Sequence, residues 1–220
     1  MLDLLLPQRC LVCALPGAQV CVDCTDALRR VAPPWCDRCG APTAWPVRRC
    51  LECSGRRLAF VHARAAVEYD APVRRIVAAW KERGLRRLAR WAAAVTADAV
   101  ARPDARVVSF VPADPDRRLK RGYHAAEQLA RELAEVWELD RRQLLVRARG
   151  SPSQRELTRA ERRRNVASAF VCRGPIPAQV ALVDDVYTTG ATANAAASAL
   201  RKGGARQVQI VTFARTIRRC

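Results

Sequence analysis

Gln179 to Arg215 reads QVALVDDVYTTGATANAAASALRKGGARQVQIVTFAR, and its order of residue types decides the fold. Val180 to Val183 is an apolar run too short for a helix and therefore reads as a buried strand. Asp184 and Asp185 close it, a loop of small and hydroxyl residues runs on to Thr192, and an alanine-rich segment follows as far as Gly203-Gly204. Those glycines supply a left-handed stop for a helix. Val208 to Phe213 is the next strand, which completes a β-α-β unit and predicts a parallel sheet.

Ligands of open parallel sheets sit beyond the carboxyl ends of the strands, where Asp184 to Thr192 falls. Thr188, Thr189, Gly190, Ala191 and Thr192 lie where successive N–H groups at a helix N-terminus surround a phosphate, with hydroxyls as further donors. The two carboxylates accept hydrogen bonds and donate none, so they suit vicinal hydroxyls, directly or through hydrated Mg²⁺. Together these groups describe a site for a ribose 5-phosphate. An apolar run ending in Asp-Asp also occurs in phosphate-loop NTPases, but the chain has no Gly-Lys-Ser/Thr loop. A receiver domain is excluded because only 35 residues follow Asp185.

The chain has 220 residues and a formal charge of +18, almost all of it arginine, with lysine only at Lys81, Lys120 and Lys202. A surface so basic attracts nucleic acid and other polyanions, and it equally suits a site for a highly charged phosphate ligand. No run is long and apolar enough to span a membrane, since Asp3 interrupts Leu2 to Leu6, and a cytoplasmic location is expected.

Eight of the ten cysteines precede residue 54, in four Cys-x2-Cys pairs: Cys10 and Cys13, Cys21 and Cys24, Cys36 and Cys39, Cys50 and Cys53. Pairs at this spacing grip tetrahedral zinc, and four pairs make two structural four-thiolate sites. A disulfide framework is disfavoured in a reducing cytosol, and the spacing departs from common iron–sulfur patterns. Consecutive and crossed assignments of the pairs both fit the sequence. The intervening segments are too short and polar to form a core, so metal binding supplies folding energy. Two occupied sites lower the charge from +18 to about +14. The expected organisation is a zinc module at 1–58 and an α/β domain at 59–220.

Within the larger part, His62 to Tyr69 reads as a strand and Asp70-Ala71-Pro72 as a helix start. Val73, Ile76, Val77 and Trp80 recur at helical spacing, as do Leu88, Trp91, Ala92, Val95 and Ala99 over 85–101. Val107 to Val111 is a buried strand, a helix from Ala125 to Trp137 carries Leu129, Leu133 and Val136 on one stripe, and Leu144 to Val146 is a short strand. His62, Cys172 and Cys220 are read as without chemical function.

Ala181 to Thr192, ALVDDVYTTGAT, resembles the phosphoribosyl pyrophosphate (PRPP) signature of type I phosphoribosyltransferases, and the wider chain resembles the ComF/GntX family associated with DNA uptake and competence. Leu4-Leu5-Leu6-Pro7 and Cys39-Gly40-Ala41-Pro42 fit that pattern. The resemblance implies a type I phosphoribosyltransferase-like parallel sheet flanked by helices. It assigns Asp184 and Asp185 to the ribose hydroxyls, Thr188 to Thr192 to the 5-phosphate, and Mg²⁺ to the bound PRPP. Trp80-Lys81-Glu82-Arg83-Gly84 is similar to the family's Lys-Tyr-x-Gly element on the pyrophosphate side, with Glu82 in place of the aromatic. Pro112-Ala113-Asp114-Pro115 resembles a Val-Pro-x-Pro corner. Arg121-Gly122-Tyr123-His124-Ala125 matches a basic Arg-Gly-Phe-Asn-Gln loop except at its last three residues. Gln154, Arg162 and Asn165 correspond to a region lining the pyrophosphate or the acceptor.

If the chain is a phosphoribosyltransferase, Lys81 and Arg121 neutralise departing pyrophosphate and the acceptor is unspecified. The alternative is a non-catalytic competence factor that binds single-stranded nucleic acid or meets DNA-uptake machinery, with the phosphoribosyl site retained for regulation or phosphate binding. A transcriptional regulator is a weaker third reading, since no separate helix-turn-helix can be found.

Overall fold

The computed structural model describes residues 8–113, 124–148 and 169–218. Its centre is a five-stranded parallel sheet formed by β1 (His62–Glu68), β2 (Val107–Phe110), β3 (Asp140–Arg141), β6 (Gln179–Tyr187) and β7 (Gln207–Arg215). The spatial order is β1-β7-β6-β2-β3, and each neighbouring pair is parallel. A two-stranded antiparallel ribbon, β4 (Leu145–Arg147) with β5 (Phe170–Cys172), stands apart from it.

Both sheet faces are covered, as parallel sheets require. On one face lie α2 (Ala71–Glu82), α3 (Leu88–Ala99) and α4 (Ala125–Trp137), whose apolar sides pack with Val108, Phe110, Ala181, Val183, Val211 and Phe213. On the other face α5 (Ala191–Lys202) and the β4–β5 ribbon pack with Val107, Val180, Leu182, Val208 and Ile210. The expected β-α-β unit is therefore β6-α5-β7, with Leu182 beside Ile210 and Asp184 beside Thr212.

Helix starts and stops follow local chemistry. Asp70 caps α2 by accepting the Val73 N–H at 3.2 Å, and Pro72 sits in the first turn, where no helical N–H is needed. Val73, Ile76, Val77 and Trp80 are buried as the spacing predicts, and Trp80 meets Phe213 edge-on at 6.4 Å. The left-handed turn after α5 falls on Gly204 (φ +112), whereas Gly203 remains right-handed.

Two expectations need correction. Strand β6 does not end at Val183 but runs through both aspartates to Tyr187, because β7 extends far enough to pair Asp184 with Thr212 and Tyr187 with Arg215. On α4 the buried stripe runs from Leu129 through Leu133 to Trp137, leaving Val136 55% exposed. The helix continues its core contact in four-residue steps, and the indole covers the last turn in place of the valine.

The cysteine-bearing segment straddles the β1 edge of the sheet. Residues 29–31 run antiparallel along it, with the Val31 N–H donating to the Ala66 carbonyl and the Glu68 N–H to the Arg29 carbonyl. This covers strand groups that would otherwise stay unpaired. Leu11, Val12, Val20, Cys24 and Leu28 pack on the α2–α4 face, and Cys36, Cys39 and Cys53 on the α5 face. The short helix α1 (Val22–Asp26) is tied to the body by Trp91 Nε1, which donates to Thr25 Oγ1 at 3.0 Å.

Candidate functional site: a sheet-end hollow beside two four-cysteine centres

The four-thiolate sets resolve the pairing left open by spacing. Cys10, Cys13, Cys21 and Cys24 form one cluster and Cys36, Cys39, Cys50 and Cys53 the other, each with its sulfurs within 4.8 Å of one another. Zinc in a sulfur tetrahedron at about 2.3 Å sets neighbouring sulfurs about 3.8 Å apart. Cys36 and Cys53 lie at 3.6 Å, Cys39 and Cys50 at 3.4 Å, and Cys13 and Cys21 at 3.7 Å, so the donor sets fit that ion. Backbone N–H groups point at the sulfurs, Val12 toward Cys10 at 3.4 Å and Cys50 toward Cys36 at 3.3 Å, which favours thiolate. Burial pushes the Cys36 thiol up, yet the N–H groups of Cys39, Cys50 and Arg38 outweigh it and leave the group lowered to about 7. With four thiolates apiece these are closed structural centres. The first keeps Cys13 exposed, whereas the second buries Cys36, Cys39 and Cys53.

The phosphate-type loop is shorter than expected, three residues from Thr188 to Gly190 between β6 and α5. Gly190 caps α5 at φ +71, a conformation that costs other residues about 1–2 kcal/mol. A Cβ there would also run into the ring and hydroxyl of Tyr187. The loop thus folds flat on the Tyr187 ring. A small concavity opens above it, lined by Asp184, Val186, Tyr187, Thr188, Gly190, Thr192, Ala193 and Thr212. Thr189 lies beside this hollow and its hydroxyl accepts the Ala191 N–H at 3.4 Å. The first-turn N–H groups of α5 have no partner inside the helix and give this end a partial positive charge.

The acidic pair is electrostatically divided. Asp185 is 8% exposed, and its Oδ1 lies 2.6 Å from Lys81 Nζ in the last turn of α2. Asp184 retains partial exposure and accepts the Asp185 backbone N–H at 2.9 Å. Enclosure at the sheet end, followed by the negative charge of Asp185, raises the Asp184 carboxyl to about 8, against the opposing pull of Lys81. One carboxylate is thus paired with a cation, and the other is poised to ionise when positive charge or hydroxyl donors arrive.

Of the residues singled out from sequence, Lys81, Asp184, Asp185 and Thr188 to Thr192 converge on this end of the sheet. Arg121, Gln154, Arg162 and Asn165 lie outside the described residues. Sequence reading missed four others. Tyr187 floors the loop, Arg56 Nη1 donates to the Thr189 carbonyl at 2.7 Å, and Asn194 accepts the Ala59 N–H at 2.7 Å while donating to the Arg57 carbonyl at 3.3 Å. Arg215, 1% exposed, stacks 5.2 Å from the Tyr187 ring and donates to the Cys39 carbonyl at 2.6 Å. A polar Asn within an alanine-rich helix was a visible signal. The others carried none.

Comparison with known proteins agrees with the two four-cysteine clusters. Residues 1–56 match the model of the double zinc ribbon domain. The DNA utilization protein YhgH of Salmonella typhimurium LT2 is 29% identical over 97% of this chain and 100% of its own length. Competence protein F of Haemophilus influenzae is 28% identical over 89% of this chain and 90% of its own, and competence protein ComFC of Streptococcus pneumoniae is 34% identical over 48% and 46%. Among solved structures, an allosteric regulatory enzyme of purine biosynthesis overlaps 58% of the chain at 21% identity and a TM-score of 0.42. The glutamine PRPP amidotransferase of B. subtilis overlaps 58% at 23% and 0.38, and the chain spans a quarter of each of these two proteins. Residues 1–56, which match the double zinc ribbon model, are joined in this chain to a parallel α/β sheet. Over most of its length the chain is similar to proteins named DNA utilization protein YhgH and competence protein F. Among the described residues, no helix is long and apolar enough to cross a membrane.

Proposed function

We propose that this protein binds PRPP at the carboxyl end of β6 and transfers its phosphoribosyl group. The observation that carries this reading is that Asp184, Thr188, Gly190 and Thr192 line one and the same concavity. Asp184 and Asp185 accept the ribose hydroxyls. Loop and α5 N–H groups, with the Thr188, Thr189 and Thr192 hydroxyls, donate to the 5-phosphate. Mg²⁺ arriving with PRPP supplies charge neutralisation for the pyrophosphate. Lys81, and Arg121 beyond the described residues, carry the protein's share of that neutralisation as the bond to C1 of the ribose breaks and an acceptor attacks there. The raised Asp184 carboxyl loses its proton as hydroxyl donors and cation approach, so binding releases a proton near neutral pH. Gln154, Arg162 and Asn165 are assigned to the pyrophosphate or acceptor side.

Competition at equilibrium tests the reading. Ribose 5-phosphate is expected to displace labelled PRPP with or without Mg²⁺, and pyrophosphate only with it. Displacement by neither would remove the reading.

A second reading is favoured by the charge of +18 and by the names of the relatives: a single-stranded nucleic-acid-binding competence factor that meets DNA-uptake machinery and uses the loop for regulation or for a strand phosphate. Arg48, Arg49, Arg57 and Trp45 are each exposed, side chains of the kinds that bind phosphates and stack a base. Binding whose affinity falls steeply with salt and survives loss of both aspartates distinguishes this reading from the first.

A further inference from the structure

Three ties join the second four-cysteine centre to the phosphate-type loop across more than a hundred residues of sequence. Arg56, three residues after the ligand Cys53, donates to the Thr189 carbonyl at 2.7 Å. Asn194, in the first turn of α5, is clamped between the Ala59 N–H and the Arg57 carbonyl. Arg215 holds the carbonyl of the ligand Cys39 and, at 3.3 Å, the carboxylate of Glu52, while its guanidinium lies against the Tyr187 ring on which Gly190 rests. Contacts of the first centre run instead to the opposite sheet face, through Cys24 and Trp91.

We infer that Arg56 is a positioning residue for the phosphate cradle, and that zinc in the second centre, not the first, holds the loop in its binding geometry. Thr189 has its carbonyl turned to Arg56, which fixes the orientation of the peptide between Thr189 and Gly190 and so aims the Gly190 N–H. Closing the Cys50–Cys53 turn on a metal fixes where Arg56 begins. Releasing that metal frees the turn, the Arg56 contact and the Arg57–Asn194 clamp together. By thermodynamic reciprocity, a ligand that orders the loop tightens the second zinc. The ligand part of this inference rests on the phosphate-binding reading above. The loop's own order can be read without any ligand.

The test is amide hydrogen exchange by mass spectrometry on the zinc-loaded full chain, comparing wild type with Arg56→Ala, Arg56→Lys and, as a control of equal charge change in the first ribbon, Arg9→Ala. Arg56→Ala is expected to speed exchange over 188–194 about fivefold, the loss of one net hydrogen bond, with zinc content and β7 exchange unchanged. Arg56→Lys restores much of the protection because one donor suffices, and Arg9→Ala has no effect. Stepwise chelation adds an independent arm. The first centre, with Cys13 exposed, is expected to give up its metal before the second, where Cys36, Cys39 and Cys53 are buried, so loop protection persists through the first equivalent and falls with the second. PRPP with Mg²⁺ binds about fivefold more weakly to Arg56→Ala. Wild-type exchange in Arg56→Ala, equal loosening of β7, or loss of loop protection while Cys36, Cys39, Cys50 and Cys53 still hold their metal overturns the inference. Faster loop exchange without any PRPP binding leaves it standing and removes only the ligand assignment.

Discussion

At Gly190 the positive φ and the Tyr187 ring below both exclude a side chain. Gly190→Ala is expected to cost about 2–4 kcal/mol, from the left-handed backbone and the displaced ring, measured by urea denaturation. The Tyr187 hydroxyl itself is buried without a hydrogen-bond partner among the described residues. Tyr187→Phe should therefore be neutral or stabilising by up to about 1 kcal/mol in the same assay. Asp184 sets a pH dependence whose sign is fixed. Its folded carboxyl holds a proton to about 8, far above its ordinary value of 3.8, so the folded state binds that proton more tightly than the unfolded chain. The contribution of this group to stability is therefore greatest below about pH 4 and is lost as pH rises toward 8. Asp184→Asn removes that loss, and denaturation of wild type and variant at pH 5 and pH 8.5 should show the variant gaining relative stability at the higher pH.

Among the elements, α2 meets β6 through Lys81 and Asp185, a pair whose side chains are 28% and 12% exposed. Lys81→Met leaves Asp185 without its cation and is expected to cost about 1–3 kcal/mol, less than a fully buried pair would. Thermal and urea unfolding of the variant check this. The elements were the most legible part of the sequence. The β6-α5-β7 unit could be read from a short apolar run, alanines and paired glycines, and α4 was bounded at Ala125 and Trp137 by its own periodicity. What was not legible depended on partners. The end of β6 moved past the aspartates because β7 was long enough to pair with them. Val136 gave its place to Trp137, since the sequence does not fix which of two adjacent apolar residues meets the sheet. The Arg56 contact with Thr189 joins residues 133 apart and follows no local period, so its place in the cradle emerged only from the fold.

For the whole molecule, the cysteine segment wraps the β1 edge and contributes thiols and apolar side chains to both sheet faces, so zinc and core are one stability problem. Complete chelation should lower the unfolding midpoint of the entire chain, not of an isolated module, as calorimetric scanning with and without zinc would report. The gathering of Asp184, Thr188, Gly190 and Thr192 at one sheet end was visible in the order of the residues, Asp-Asp before a hydroxyl-rich loop, whereas the division of charge between a paired Asp185 and a raised Asp184 required Lys81 to be placed beside them. PRPP binding in this hollow through both aspartates is the proposal on which the functional reading turns. A calorimetric titration of PRPP with Mg²⁺ into the zinc-loaded wild type and into Asp184→Asn/Asp185→Asn tests it most directly. Saturable binding with proton release in the wild type, lost in the folded double variant, is the predicted result. No binding to the wild type, or equal binding to both proteins, would contradict it.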